Sequence, residues 1–337
     1  AAPSLPGGFA KWAVIGHDGR HPIGPNRRGQ REKEAFLILV IGEVLVDRFP
    51  NYERIGGAPF NFAHHLKQMG FAVRLLTRVG DDAAGRRIRD RLRHSGFDEA
   101  DVQVDPHHPT GSVQVALDGD GVPHFDILEN VSCDHLQLDR VAAAELASAA
   151  MIYYGSLAQR TPAAHRQVQA LLGRSAGGAI RFCDINMRPP HVSHRAVAVS
   201  LEQADLLKLN ADELADIQER FDGPAGLEAG VAWLMAAFDI GTLALTLGSG
   251  GSRLYHDDTS IEWPVEGATT VVDTVGAGDA YAAVLAAGIL RRLPWRKIVR
   301  QASRFAASVC TIAGAVPDDA GFYDELRSIL EGGFDGQ

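Results

Sequence analysis

The strongest constraint on the fold is a rhythm. From about Ala35, short apolar runs alternate with stretches of helical spacing. Phe36–Gly42 (FLILVIG) reads as a buried strand ending in glycine. Ala58–Met69 has a helical pattern and closes at Gly70, a suitable C-cap. Val73–Val79 is the next expected strand and Gly85–His94 the next helix, closing near Gly96. Further strands are expected at Ala149–Tyr154, Ala179–Asp184, Ala204–Leu209, Thr242–Leu247 and Ser252–His256. Further helices are expected at Pro162–Leu172, Ala211–Arg220, Gly226–Phe238, Gly278–Leu290 and Trp295–Gly314. Such alternation implies right-handed βαβ units, hence a mostly parallel sheet with helices on both faces. One stretch breaks the rhythm. Ser112–Leu117 and Pro123–Ile127 flank Asp118-Gly119-Asp120-Gly121, a hairpin signal. A hairpin interrupting a βαβ series reads as a lid. Segments about 47–55 and 110–127 are therefore expected to form a small β lid.

Composition narrows the function classes. A chain of 337 residues holds about two domains, or one large α/β domain with an inserted subdomain. Asp and Glu outnumber Lys and Arg by 42 to 33, which argues against a general nucleic-acid binder. No apolar run reaches the ~18 uncharged residues of a membrane span. The longest, near Leu146–Ala158 and Ile240–Ser252, read as buried strand or helix. Cys133, Cys183 and Cys310 are far apart and form neither a CxxC pair nor a zinc spacing. A reducing cytoplasm fits best. Residues 1–34, rich in proline and glycine with an arginine-rich end, show no apolar period and no secretory apolar region. They read as a poorly structured extension of a body spanning 35–331.

The chemistry concentrates in Val271–Leu290, VVDTVGAGDAYAAVLAAGIL. Gly276 and Gly278 permit a tight turn whose N–H groups converge at a helix N-terminus. That is an anion site. Asp279 falls in the first turn of the helix. A carboxylate there repels a phosphate, but it is useful if it accepts the proton of a hydroxyl attacking phosphorus. A helix start with Asp as a cap is the plainer alternative.

DTVGAGD followed by a small-residue helix resembles the C-terminal motif of the ribokinase/PfkB family of sugar kinases. Gly56-Gly57-Ala58-Pro59-Phe60-Asn61, with Val79-Gly80-Asp81-Asp82-Ala83-Ala84-Gly85, is similar to that family's N-terminal motif. The resemblance covers about Ile38 to Leu330. It implies a ribokinase-like three-layer α/β/α sandwich with a small β lid. It also implies ATP and Mg²⁺ as the phosphoryl donor, and in some members a monovalent cation such as K⁺. Asp279 would be the base, and backbone amides of Gly276, Ala277, Gly278 and Asp279 the anion hole. Asp47, Gly56, Gly57 and Asn61 would hold the sugar. Without the resemblance, Asp47 is a solvated strand end and Asn61 a polar residue at a helix N-terminus.

Three segments fit the nucleotide half. Asn210-Ala211-Asp212-Glu213 resembles the family's N-x-x-E element, with Glu213 reaching Mg²⁺ through water. The same residues also form a capping box. Thr246-Leu247-Gly248-Ser249-Gly250-Gly251 resembles the family's T-x-G-x-x-G turn, so Thr246, Gly248 and Gly251 would lie near the nucleotide. A glycine-rich turn between strands needs no ligand, however. Ala313–Pro317 resembles the loop that closes over the adenine and, in some members, helps hold a monovalent cation. Finally, Asp184-Ile185-Asn186-Met187-Arg188 is similar to an element of fructokinases and 2-keto-3-deoxygluconate kinases, with Arg188 offering a fork to substrate or phosphate oxygens.

The expected reaction is phosphorylation of a small sugar, fructose first and 2-keto-3-deoxygluconate second. A catalytically silent sugar or nucleotide sensor is the reading from a different class. The chain lacks a P-loop and a protein-kinase H-R-D/D-F-G pair, and no G-x-G-x-x-G follows the first strand, which disfavours a Rossmann dehydrogenase. His64-His65 and His107-His108 read as surface or lid residues. An exposed lid edge suggests a homodimer through the lid.

Overall fold

The computed structural model describes residues 36–117, 123–175, 178–266 and 270–331. The expected hairpin turn at 118–121 and the N-terminal extension lie outside them.

The described residues open with β1 (Leu37–Ile41), β2 (Leu45–Arg48) and β3 (Glu53–Gly56), then α1 (Ala58–Gln68), β4 (Ala72–Gly80), α2 (Ala83–His94) and β5 (Val102–Asp105). The interrupting pair is β6 (Ser112–Leu117) and β7 (Pro123–Ile127). Then come α3 (Ala143–Ser148), β8 (Ala149–Tyr154), α4 (Pro162–Arg174), β9 (Ile180–Asp184), α5 (His194–Gln203), β10 (Leu206–Asn210), α6 (Ala211–Arg220) and α7 (Leu227–Phe238). The chain continues with β11 (Thr242–Thr246), β12 (Ser252–His256), β13 (Thr259–Trp263), α8 (Ala277–Leu290), α9 (Trp295–Val309) and α10 (Asp324–Glu331).

Nine strands form one sheet in the order β13-β12-β11-β10-β9-β8-β1-β4-β5. Every pairing from β11 to β5 is parallel, and β12 and β13 add an antiparallel edge. A second sheet, β3-β2-β6-β7, is the lid. The last long helix ends at Val309, five residues short of the expected Gly314. The chain turns there because Cys310 O accepts from Val272 and Asp273, tying the helix end to another loop.

Alternation along the strands explains the three layers. In β1, Ile38 and Val40 pack into one core with α1, α8 and α9, while Leu39 and Ile41 pack into a second core with α4, α5, α6 and α7. A strand buried on both faces reads as a continuous apolar run, which is what Phe36–Gly42 showed. Helix α8 packs against α1 and α9 and is buried from Asp279 to Leu290. Its small residues allow that close approach, and a helix apolar all round belongs in a core.

His64 and His65 correct the sequence reading. Both are buried, at 3% and 0% exposure. They ride on α1, which is wedged between the sheet and α8, and His65 Nδ1 lies 2.9 Å from the Tyr323 hydroxyl. Burial pushes their pKa values down, to about 4 for His64 and about 3 for His65. His107 is exposed and His108 half-buried, as expected. The three cysteines carry free thiols. Among the described residues, no helix is long and apolar enough to cross a membrane.

Candidate active site

The parallel strands all deliver their C-terminal ends to one side of the sheet. In open α/β sheets, ligands bind there. Asp184 ends β9, Asn210 ends β10 and Thr246 ends β11. Their register is direct: Lys208 pairs with Asp184 and Asn210 with Thr246.

Asp279 lies at the centre of the arrangement. Gly276 is the N-cap of α8 and takes a φ of +79°. A Cβ there would fall 2.6 Å from the Ala315 Cα, so both the turn and the packing require glycine. The turn places Asp279 in the first helical turn, 8% exposed. Asn61 Nδ2 donates to Asp279 Oδ2 at 2.8 Å, joining α1 to α8. Asn61, expected against the sugar, thus also touches the expected base. Its own Oδ1 is buried without a hydrogen-bond partner. Burial raises the Asp279 pKa to about 6, and nearby Asp184 adds to the rise. Lys208, the Asn61 hydrogen bond and Arg188 pull the other way.

Beneath the turn sits a buried ion pair that the sequence reading missed. Lys208 Nζ is 3.0 Å from Asp184 Oδ1, and the Tyr153 hydroxyl donates to Asp184 Oδ2 at 3.1 Å. The ammonium lies 3.0 Å from where a Gly278 Cβ would be. Glycine at 278 thus lets a buried cation approach the helix N-terminus. The available signal was the strand period: Asp184 and Lys208 sit on the same face of neighbouring strands.

On the lid side, Asp47 is half-buried in β2. A Gly56 Cβ would lie 2.5 Å from Asp47 Oδ2, so Gly56 makes room for that carboxylate. Gly57, with φ +115°, caps α1 and lies against the Glu43 carbonyl. Burial raises Asp47 to about 6, offset by Arg188 and Arg54. Glu43, unremarked in the sequence, is buried at the β1–β2 junction. Burial lifts it to about 7, and it feels both Arg188 and Asp279. Arg188 itself is exposed, and it bears electrostatically on Asp47, Glu43 and Asp279.

The residues expected to meet the nucleotide lie at the ends of β10 and β11, in the first turn of α6 and in the turn after β11. Asn210 Oδ1 accepts from Glu213 N at 2.8 Å, and Glu213 Oε2 accepts from Asn210 N at 2.9 Å. The capping box is real. Glu213 Oε1 also accepts from Met187 N at 2.8 Å, so the acid ties α6 to the chain after β9. Burial raises the Glu213 pKa, and Lys208 opposes the rise. Gly251 is buried against the Trp263 carbonyl, whereas Gly248 is exposed, with nothing within 4 Å of its Cβ position. Thr246 is half-buried at the strand end.

A mainly parallel α/β sandwich, a β lid and an acid at a glycine-turn helix N-terminus describe a small-molecule phosphotransferase. The chain belongs to the pfkB family of carbohydrate kinases, which matches residues 37–319. It is an ATP-dependent sugar kinase. Fructokinase-2 of Oryza sativa subsp. japonica is 28% identical over 323 residues, covering 88% of this chain and 94% of that protein. A fructokinase of Klebsiella pneumoniae is 31% identical over 264 residues, covering 75% and 84%. The crystal structure of a fructokinase with bound ATP from Xylella fastidiosa superposes with a TM-score of 0.74 at 23% identity, covering 88% of this chain and 98% of that one.

Proposed function

We propose that the chain phosphorylates fructose, with Asp279 as general base. The single observation behind this reading is the buried Asp279, set by Gly276 at the α8 N-terminus and hydrogen-bonded to Asn61. The names of the similar fructokinases support fructose as the acceptor. The sugar lies between the lid and the turn, against Asp47, Gly56, Gly57 and Asn61, with Arg188 at the rim. Its attacking hydroxyl gives its proton to Asp279 as the oxygen bonds to the γ-phosphorus and the bond to the ADP oxygen breaks. Backbone amides of Gly276, Ala277, Gly278 and Asp279 receive the charge that develops on the transferred group.

ATP lies along Asn210, Glu213, Thr246, Gly248 and Gly251. Among the described residues, no three His, Cys, Asp or Glu side chains cluster to hold a metal. The hard oxygens of Glu213 suit a magnesium ion carried by the nucleotide phosphates and met through water. Bound Mg²⁺ spreads the phosphate charge. Closure of the lid, segments 47–55 and 110–127 of the 35–331 body, excludes water and limits idle ATP hydrolysis. Strands β3 and β7 are the outer strands of the lid, and we place a homodimer contact there. A monomeric mass at micromolar concentration would remove it. The free cysteines fit a cytoplasmic setting.

The test is ADP release with Mg-ATP against fructose, 2-keto-3-deoxygluconate, ribose, glucose, adenosine and no acceptor. Fructose standing well above the others supports the assignment. A different sugar leading transfers the specificity to it. No ADP release with any acceptor, with ATP still bound, moves the reading to an untested sugar or to the catalytically silent sensor.

A further inference from the structure

We propose that Arg54 is a built-in cation for the 313–317 loop, so that this kinase needs no added monovalent ion there. The resemblance to sugar kinases implies such an ion beside that loop, and the residues present argue against it. The loop is tied to one carboxylate, Asp273, through Gly314 N–H, which donates to Oδ2 at 3.0 Å. The same oxygen accepts from Arg54 Nη1 at 3.0 Å, and Oδ1 accepts from Val275 N at 3.0 Å. Both oxygens are thus engaged, and a guanidinium already balances their charge. A potassium ion on Asp273 would have to displace that guanidinium or sit beside a like charge.

Arg54 is held where it is. Its guanidinium carbon lies 4.8 Å from the Tyr52 ring centre and 5.9 Å from that of Phe49, and the two rings stack at 4.4 Å. Nη1 lies 3.4 Å from the Cβ position of Gly314, so a larger residue at 314 would crowd it. Arg54 belongs to lid strand β3 and stands opposite Asp47 in the register. Arg54 therefore connects the lid to the lead-in of the anion turn, and its charge also bears on the sugar-side carboxylate Asp47. Unlike a free ion, Arg54 is covalently part of lid strand β3, so its bond to Asp273 cannot dissociate into solution as an ion would. Arg54 is a positioning residue: it acts on the turn through Asp273.

The activity readout rests on the kinase reading above, and the stability readout does not. Thermal unfolding and sugar-dependent ADP release are measured in potassium chloride and in tetramethylammonium chloride at equal ionic strength. The proteins are wild type, Arg54→Gln and Arg54→Lys. Wild type and Arg54→Lys are expected to show the same Tm and rate in both salts, to within about 1 °C and twofold. Arg54→Gln is expected to lose stability and rate in tetramethylammonium and to regain them in potassium, with a rate ratio of about tenfold, as loss of a charge-assisted hydrogen bond suggests. Potassium that raises the wild-type Tm or rate by such amounts overturns the inference. So does an Arg54→Gln protein indifferent to potassium. If no sugar is phosphorylated, the kinase reading falls, and the Tm comparison still decides this one.

Discussion

Two glycine turns in this molecule look alike on paper and differ in space. Thr246–Gly251 joins two strands, and Asp273–Asp279 leads into α8. At the first, Gly248 is exposed with no atom near its Cβ position, and the short 3₁₀ turn at Gly248–Gly250 closes on its own backbone through Leu247 N–H to Gly251 O at 2.8 Å. At the second, Gly276 is pressed by Ala315, Gly278 faces the Lys208 ammonium, and Asp279 is buried on Asn61. A glycine turn becomes chemically consequential when charged groups are buried around it. There the low dielectric strengthens each interaction and fixes each group. The first turn offers a ligand its backbone and the neutral hydroxyls of Thr246 and Ser249, with no charged group. The second holds an acid with a raised pKa beside a paired cation.

The largest expected effect lies at the second turn. Asp279→Asn is expected to lower sugar-dependent turnover by ~10²–10⁴-fold, with ATP affinity and Tm retained. Steady-state kinetics and calorimetric ATP binding check it, and a nearly active variant would break the comparison. Next, Lys208→Met leaves Asp184 buried without its cation. The expected loss is ~3–5 kcal/mol of stability, read from denaturant unfolding. Lys208→Met combined with Asp184→Asn is expected to recover most of it. The smallest effect sharpens the contrast between the turns. Gly276→Ala meets both a positive φ and the Ala315 backbone, and is expected to destabilise by about 1–3 kcal/mol and slow turnover. Gly248→Ala meets only a positive φ of +55° and is expected to cost about 1 kcal/mol, with turnover close to wild type. Equal losses at the two positions would end the distinction.

What the sequence made legible, and what it hid, follows the same line. The α8 turn was readable because its glycines and acid are contiguous, and the layer order because strands buried on both faces are continuous apolar runs. The Lys208–Asp184 pair was not readable as a pair: its members are 24 residues apart and meet only through strand register. Arg54 and Asp273 are 219 residues apart, and Asn61 and Asp279 218 apart. Glu213 was readable in two ways, and its capping bonds are now visible, whereas its contact with a magnesium-bound water is still a proposal. His64 and His65 misled because two polar residues in a row suggest a surface. The helix carrying them is gripped on several sides, and Phe60 and Phe62 beside them are fully buried. Short elements such as β5 and β13 gave too few residues for a period to emerge.

The account stands on Asp279 taking the proton from the sugar. Its pKa is raised from the ordinary 3.8 to about 6, so it is protonated and idle below that pH and ionised above it. The linkage to stability has the opposite sign. A carboxyl raised on folding favours the folded state at pH below about 4 and gives up that contribution as pH rises through about 6. Activity is thus expected to fall on acidification while this group's contribution to stability grows. The direct measurement is the pH dependence of kcat/KM for the sugar, which reports groups of the enzyme before the sugar binds, from pH 5 to 8, for wild type and Asp279→Asn. The account predicts an acid limb near pH 6 in wild type, falling about tenfold per pH unit below it, and no such limb in the residual activity of the variant. The same limb in both proteins would contradict it and place the proton on another group.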